Sequence, residues 1–314
     1  MASISVQATN VVNDPIIQDF INMMVKKHDF KRDELKKTMT DAKRLPEIIE
    51  KMSRPAEGMP WHRYRNIFLK QKRIDQGVEF WKANSDILEK AEKKYGVPVE
   101  IILGILGVET RFGRIKGGFR VIDSLSTIVI DYPKRSKYFK KELEQAFLLS
   151  REEKFDLLAL EGSYAGAMGM AQFMPSSYRH YAVDFDGDGI RDLLNNPADA
   201  VGSIASYLQR HGWKAGQPIT TRANVSGKKY QKFVKKGMKP KVKISEIASY
   251  NVSAKEKYAG ELKASLIELE QENGNEYWLG MGNFYAITRY NHSNLYAMAV
   301  FQLSEEIKKQ KARF

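Results

Sequence analysis

The segment VPVEIILGILGVETRFG, residues 97–113, is apolar on every face of a helix. From 99 to 108 only Glu100 and the glycines 104 and 107 interrupt the apolar run, and Pro98 suits the first turn. A helix that is apolar all round must be buried, so this one predicts the centre of a core. Glu100 falls in the first turn, where the helix dipole favours an anion. Glu109 falls at the far end, where the dipole disfavours one, beside the apolar wall of its own helix. Both effects should raise its pKa. An acid kept protonated near neutral pH is what glycosidic bond cleavage requires. The competing expectation is a helix-end Glu paired with Arg111 or Arg114.

Working outward, the chain reads as helical from about 14 to 96, with further stretches around 31–53 and 72–95. Asp14-Pro15 is a helix start, and Ile16, Phe20, Met23 and Met24 recur at helical spacing. MSRPAEGMP at 52–60 reads as a loop. From 97 to 212 helical runs alternate with Gly-rich connections. Residues from about 214 to 272, including PITTRANVSGKKYQKF and KPKVKISEI, alternate and carry β-branched residues, which predicts short strands around a small sheet. The basic run KKYQKFVKKGMKPKVK reads as a solvated face. NFYAITRYNHSNLYAMAVFQLSEEIKK returns to helix. The expected class is α+β, mainly α, in four parts: 1–96 helical, 97–213 the core with the acid, 214–275 a β subdomain, and 276–314 the C-terminal helices.

With 314 residues, 43% of them hydrophobic, the chain can bury a sizeable core. The net charge of +13 predicts attraction to a polyanion: nucleic acid, anionic lipid or a carboxylate-bearing wall polymer. The absence of cysteine excludes disulfides, thiolate metal sites and a cysteine nucleophile. No apolar run reaches the ~18 residues that predict a membrane-spanning helix. The start, MASISVQATNVVND, lacks the features of a signal peptide, which leaves a cytoplasmic protein or a trimmed mature form. The five histidines (28, 62, 180, 211, 292) show no zinc spacing.

Two further segments accompany the acid. SYAGAMGMAQFMPSSY at 163–178 is rich in small residues that permit close approach of a ligand, with Ser163 and Gln172 as neutral hydrogen-bonding groups. RYNHSNLYAMAV at 289–300 offers Tyr290, Asn291 and Tyr296, read as lying on one helix. With ETRFG at 109–113, these strings closely resemble the lytic transglycosylases, and more narrowly the membrane-bound lytic transglycosylase B group. The resemblance covers most of the chain from about residue 60.

It implies a lysozyme-like core and the cutting of the β-1,4 bond between N-acetylmuramic acid and N-acetylglucosamine in peptidoglycan, leaving 1,6-anhydromuramic ends. Glu109 would be the single catalytic acid and base. Ser163 and Gln172 would hold the substrate, Asn291 would contact the N-acetylated sugar beside the cut, and Tyr64, Tyr207, Tyr290 and Tyr296 would line the groove. Arg135 would make a peptide-side contact. Glycosidases commonly use two carboxylates, and no second one lies near the acid motif in sequence. The resemblance also implies a periplasmic monomer, with an outer-membrane lipid anchor compatible with a longer precursor, no organic cofactor and no nucleic-acid partner. A basic nucleic-acid-binding protein and a non-catalytic wall-binding module are the alternatives.

Asp184, Asp186 and Asp188, with Asp192 beyond them, place oxygen ligands at the spacing of a calcium loop, and the Ile190 carbonyl fits between. Position 12 is Asn195 rather than Glu. The resembled group has a loop of unusual length, which makes Asp199 the expected closing ligand. Phe185 and Ile190 are expected to pin the loop to the core, and the Ca2+ to be structural.

Overall fold

The computed structural model describes residues 9–53 and 58–313. The expected loop at 52–60 falls partly outside the described residues. In chain order the helices begin with α1 (Pro15–His28), α2 (Arg32–Asp41) and α3 (Pro46–Met52). Then come α4 (Trp61–Phe68), α5 (Gln71–Ala83), α6 (Ser85–Tyr95) and α7 (Val99–Thr110). α8 (Val121–Asp131), α9 (Ser136–Glu153), α10 (Pro175–Tyr181) and α11 (Pro197–Arg210) follow. The short α12 (Gln231–Val234) and α13 (Ile244–Ala248) precede α14 (Gly282–Thr288) and α15 (Asn294–Lys311). None of the described helices is long and apolar enough to cross a membrane.

The chain divides into two compact units: Met1–Pro55 with Gly113–Ala200, and Ala56–Phe112 with Val201–Phe314. The sequence segments 1–96 and 97–213 are therefore each shared between the units. In the first unit, Asp14 caps α1 by accepting from the Ile16 N–H, with Pro15 in the first turn. The buried face of α1 is Ile17, Phe20, Ile21 and Met24, while Ile16 is 36% exposed. Phe20 and Met24 thus face inward, while Ile17 and Ile21 take the places expected of Ile16 and Met23. Two-residue pairings, β1 (Thr9–Asn10) with β2 (Lys43–Arg44) and β3 (Phe119–Arg120) with β4 (Glu161–Gly162), tie its loops together.

In the second unit, α7 is the buried centre that its composition demands. Ile101, Ile102, Leu103, Ile105 and Leu106 are all at 0% exposure, each contributing roughly 1.5–3 kcal/mol by leaving water. Pro98 sits at the N-cap, one residue before the helix. α15 runs antiparallel against α7: Lys308 Nζ bonds Glu100 at 2.7 Å, Val300 lies at Gly104, and Tyr296 meets Glu109. A Cβ at Gly104 would come within 2.6 Å of the Val300 carbonyl oxygen, so the close packing of these helices requires glycine there.

The sheet of this unit is antiparallel at each of its strand pairings, formed by β5 (Thr220–Val225), β6 (Val242–Lys243), β7 (Val252–Ala254), β8 (Lys263–Glu270) and β9 (Asn275–Gly280) in the order β6-β8-β9-β5-β7. β9 carries the strand region past 275 to Gly280. Two stretches expected as strand are mostly helical: QKFV forms α12 and ISEIA forms α13. Phe233 and Ile247 anchor them on the sheet's core, at 1% and 0% exposure. The lysines at 228, 229, 232, 235 and 236 are exposed, as expected of a solvated face.

Candidate active site

Glu109 lies in the last turn of α7, half-buried, and its Oε1 accepts a 2.6 Å hydrogen bond from the Tyr296 hydroxyl. Arg111, one of its expected ion-pair partners, is bonded instead to Gln76 Oε1, through Nε at 3.4 Å and Nη2 at 3.2 Å. The chain leaves the helix through two non-glycine residues in the left-handed region, Arg111 at φ 50° and Phe112 at φ 61°. The Phe112 N–H closes the turn onto the Leu106 carbonyl at 3.0 Å.

Tyrosines surround the acid within this unit. Tyr290 stacks on Tyr296 with ring centroids 6.4 Å apart, and Tyr207 meets Tyr290 edge-on at 4.9 Å. The Tyr207 hydroxyl is fixed by donating to the Arg289 carbonyl at 2.6 Å, and its ring stacks on His211 at 3.9 Å. Desolvation, with the Glu109 charge adding repulsion, pushes the Tyr290 and Tyr296 phenols well above their ordinary value. Both therefore stay protonated, and Tyr296 stays a donor. Burial, opposed by the bond to the Tyr207 carbonyl, lowers the His211 pKa and favours the neutral ring. Tyr64, Tyr207 and Tyr296 are 2%, 8% and 2% exposed, while Tyr290 is half-buried.

Tyr290 and Asn291 are not on the helix of Tyr296. They lie in the turn between α14 and α15, because Ser293 caps α15 by accepting from the Leu295 and Tyr296 N–H groups at 3.1 and 3.3 Å. Asn291 is exposed in that turn. The local Ser-Asn-apolar signature was available in the sequence as a helix start.

The remaining candidates belong to the first unit. Ser163 Oγ accepts from the Ala165 and Ala167 N–H groups at 3.3 and 3.1 Å, folding the small-residue loop over itself. Gln172, at φ 49°, donates from Nε2 to the Lys116 and Gly169 carbonyls, each at 3.0 Å. Gly169 sits at φ 70° against the Leu193 carbonyl oxygen, which a Cβ would approach to 2.3 Å. Arg135 ends a short 3-10 turn, Pro133–Arg135, and lies over the Tyr138 and Phe139 rings at 4.9 and 5.1 Å.

In the same unit Asp184, Asp186 and Asp188 bring carboxylate oxygens within 4.8 Å of one another. An all-oxygen set of hard, anionic donors suits calcium. Asp199 is not part of that cluster. It is fully buried, and its two oxygens accept from the Phe185 and Asp192 N–H groups, each at 2.7 Å. Burial pushes its carboxyl up, and these two donors oppose the shift. Tyr178 adds a second clamp, donating to the Arg191 carbonyl at 2.5 Å and accepting from the Leu193 N–H at 2.9 Å. Phe185 is buried as expected, but Ile190 is 51% exposed and does not pin the loop. The pinning falls to Asp199 and Tyr178, through backbone contacts that sequence spacing does not reveal.

A family model described as the transglycosylase SLT domain matches residues 13–305. The chain is 44% identical over 305 residues to membrane-bound lytic murein transglycosylase B of Escherichia coli (strain K12), covering 94% of this chain and 83% of that protein. Among solved structures, soluble lytic transglycosylase SltB1 from Pseudomonas aeruginosa matches at 44% identity and TM-score 0.89, over 95% of this chain and 100% of that one. The Escherichia coli lytic transglycosylase Slt35 in complex with calcium matches at 42% identity and TM-score 0.88, over 97% and 96% of the two chains. A buried helix ending in a tyrosine-held glutamate, a mainly helical fold with one small sheet, and these likenesses over nearly the whole length agree: the chain belongs to the transglycosylase SLT domain family and is a lytic transglycosylase with a lysozyme-like fold.

Proposed function

We propose that this lytic transglycosylase cuts peptidoglycan between N-acetylmuramic acid and N-acetylglucosamine with Glu109 as its only catalytic carboxylate. The observation that carries the reading is the Tyr296–Glu109 hydrogen bond at the end of the buried helix α7. With Oε1 held as an acceptor, the transferable proton belongs on Oε2. Glu109 gives it to the glycosidic oxygen as the C1–O bond breaks, and the substrate's own 2-acetamido oxygen supports the cationic centre. The muramic C6 hydroxyl then attacks C1 and returns its proton to Glu109. Bond and proton counts balance with no water consumed, and the attack gains from being intramolecular. Ser163, Gln172 and Asn291 are assigned to hydrogen bonds with the sugar, Tyr64, Tyr207, Tyr290 and Tyr296 to the walls of its site, and Arg135 to the peptide side.

The Asp184, Asp186 and Asp188 carboxylates, with the Ile190 carbonyl, are proposed to hold one calcium ion. Asp199 serves the same loop from beneath, through the Phe185 and Asp192 N–H groups. The ion would neutralise the clustered carboxylates and fix the loop. Action on peptidoglycan supports a periplasmic location; the reading adds a monomer and an outer-membrane anchor in a longer precursor, the latter supported by the name of the membrane-bound relative.

The test is the chemistry of the ends. Purified sacculi digested by the protein should release muropeptides lighter by one water than muramidase products, with no new reducing ends. Predominantly hydrated products would mean a hydrolase with a second carboxylate as base. Binding to sacculi without any release would leave a non-catalytic wall module, and binding to nucleic acid alone would favour the other alternative.

A further inference from the structure

The chemistry above does not use Arg73. This residue lies half-buried on α5, with its guanidinium 5.1 Å from the centroid of the Phe68 ring. Its Nη1 is buried with no hydrogen-bond acceptor. Gln76 lies one turn further along the same face of α5, and it holds the guanidinium of Arg111. Two guanidinium groups therefore share one side of this helix. Burial first, and then the Arg111 charge, pull the Arg73 pKa down to about 10.

Among the described residues neither arginine forms an ion pair with a carboxylate; their side-chain partners are Gln76 and the Phe68 ring. Like charges held together in a partly desolvated place are unfavourable without an anion. Arg111 is also kept at φ 50°, a conformation that side chains rarely adopt. Such costs persist where the surrounding structure enforces them for a purpose, and Arg111 is two residues from Glu109.

We propose that Arg73 and Arg111 form a carboxylate receptor for the peptide stem carried by the muramic acid residue whose glycosidic oxygen Glu109 protonates. The inference rests on the transglycosylase reading of the site. The amino-sugar backbone of the glycan is neutral, and its anions are carried by the lactyl-linked stems. A guanidinium fork matches a carboxylate in two parallel hydrogen bonds, and the partners of these two forks in the chain, Gln76 and the Phe68 ring, are both neutral. Binding energy from this remote part of the substrate then orients the sugar ring against the acid.

Kinetics on two soluble substrates test it: glycan strands bearing stems, and the same strands stripped of stems by an amidase and then amidated at the lactyl carboxylates this exposes. The wild-type protein should prefer the stem-bearing strands. Arg73→Gln should lower kcat/KM on them by about tenfold or more relative to stripped strands, mainly through KM, and Arg73→Lys should keep part of the preference. An equal loss on both substrates would make Arg73 a structural residue and overturn the proposal, as would an intact preference. If Arg73→Gln melts early, the wild-type protein is compared on strands whose stem carboxylates have been amidated. The preference should vanish there, and its survival would overturn the proposal. Failure of the wild-type protein to form anhydro ends on either substrate would instead strike the transglycosylase reading itself.

Discussion

The Tyr296 hydroxyl donates a 2.6 Å hydrogen bond to Glu109 Oε1, joining the first turn of α15 to the last turn of α7. A hydrogen bond involving a charged group is worth about 1.5–3 kcal/mol. Tyr296→Phe keeps the ring and loses the donor. It should lower kcat on sacculi by roughly tenfold to a hundredfold with little change in KM. Unaltered kcat would show that the acid needs no such anchor.

The same variant has a signature at high pH. The native Tyr296 phenol is raised well above its ordinary value, chiefly by burial, whereas in the unfolded chain it ionises near pH ~10. Its contribution to stability is complete below that value and is lost as pH rises from there through the native pKa. Wild-type stability should therefore fall above about pH 10. The slope in Tyr296→Phe should be shallower by about 1.4 kcal/mol per pH unit. Identical slopes in denaturant titrations would refute the assignment of a neutral buried phenol.

The register of α7 on α15 depends on Gly104. Gly104→Ala forces a methyl against the Val300 carbonyl oxygen and should cost about 1–3 kcal/mol. Because these two helices carry Glu109 and Tyr296, activity should fall along with the melting temperature. An alanine variant as stable and active as the wild type would mean that the helices have room to spare.

Much of this was legible because local composition carried it. The apolar run of α7 could only be buried, Asp14-Pro15 could only start a helix, and the aspartates at 184, 186 and 188 share a loop by spacing alone. Other features depended on partners distant in sequence. Ile16 and Ile17 are equally apolar, so only packing decided which one faces inward. KKYQKF alternates like a strand, yet the burial of Tyr230 and Phe233 on the sheet's core selects a helix. Tyr290 and Asn291 read as helical because their neighbours are, while the Ser293 cap ends the continuity. The meeting of Arg111 with Gln76 joins residues 35 apart in the chain and left no local trace.

The aspartate loop separates two kinds of residue. Asp188→Ala should abolish any rise of melting temperature with calcium, a rise equivalent to about 2.7 kcal/mol at a hundred times Kd. Asp199→Ala strips the Phe185 and Asp192 N–H groups of their acceptor. It should lower stability by roughly 1–3 kcal/mol even in chelator. Equal behaviour of the two variants, with and without calcium, would contradict the division between ion-binding carboxylates and a loop clamp.

The central claim is that one carboxylate performs both proton transfers, and Glu109→Gln tests it most directly. The amide preserves shape and removes the transferable proton. Wild-type and variant proteins, matched in circular dichroism and in sacculus binding, are compared for the initial rate of anhydro-muropeptide release measured by mass spectrometry. The account predicts release reduced by several orders of magnitude with binding retained. A variant rate within about tenfold of wild type, a barrier change of only about 1.4 kcal/mol, would remove Glu109 from the acid role.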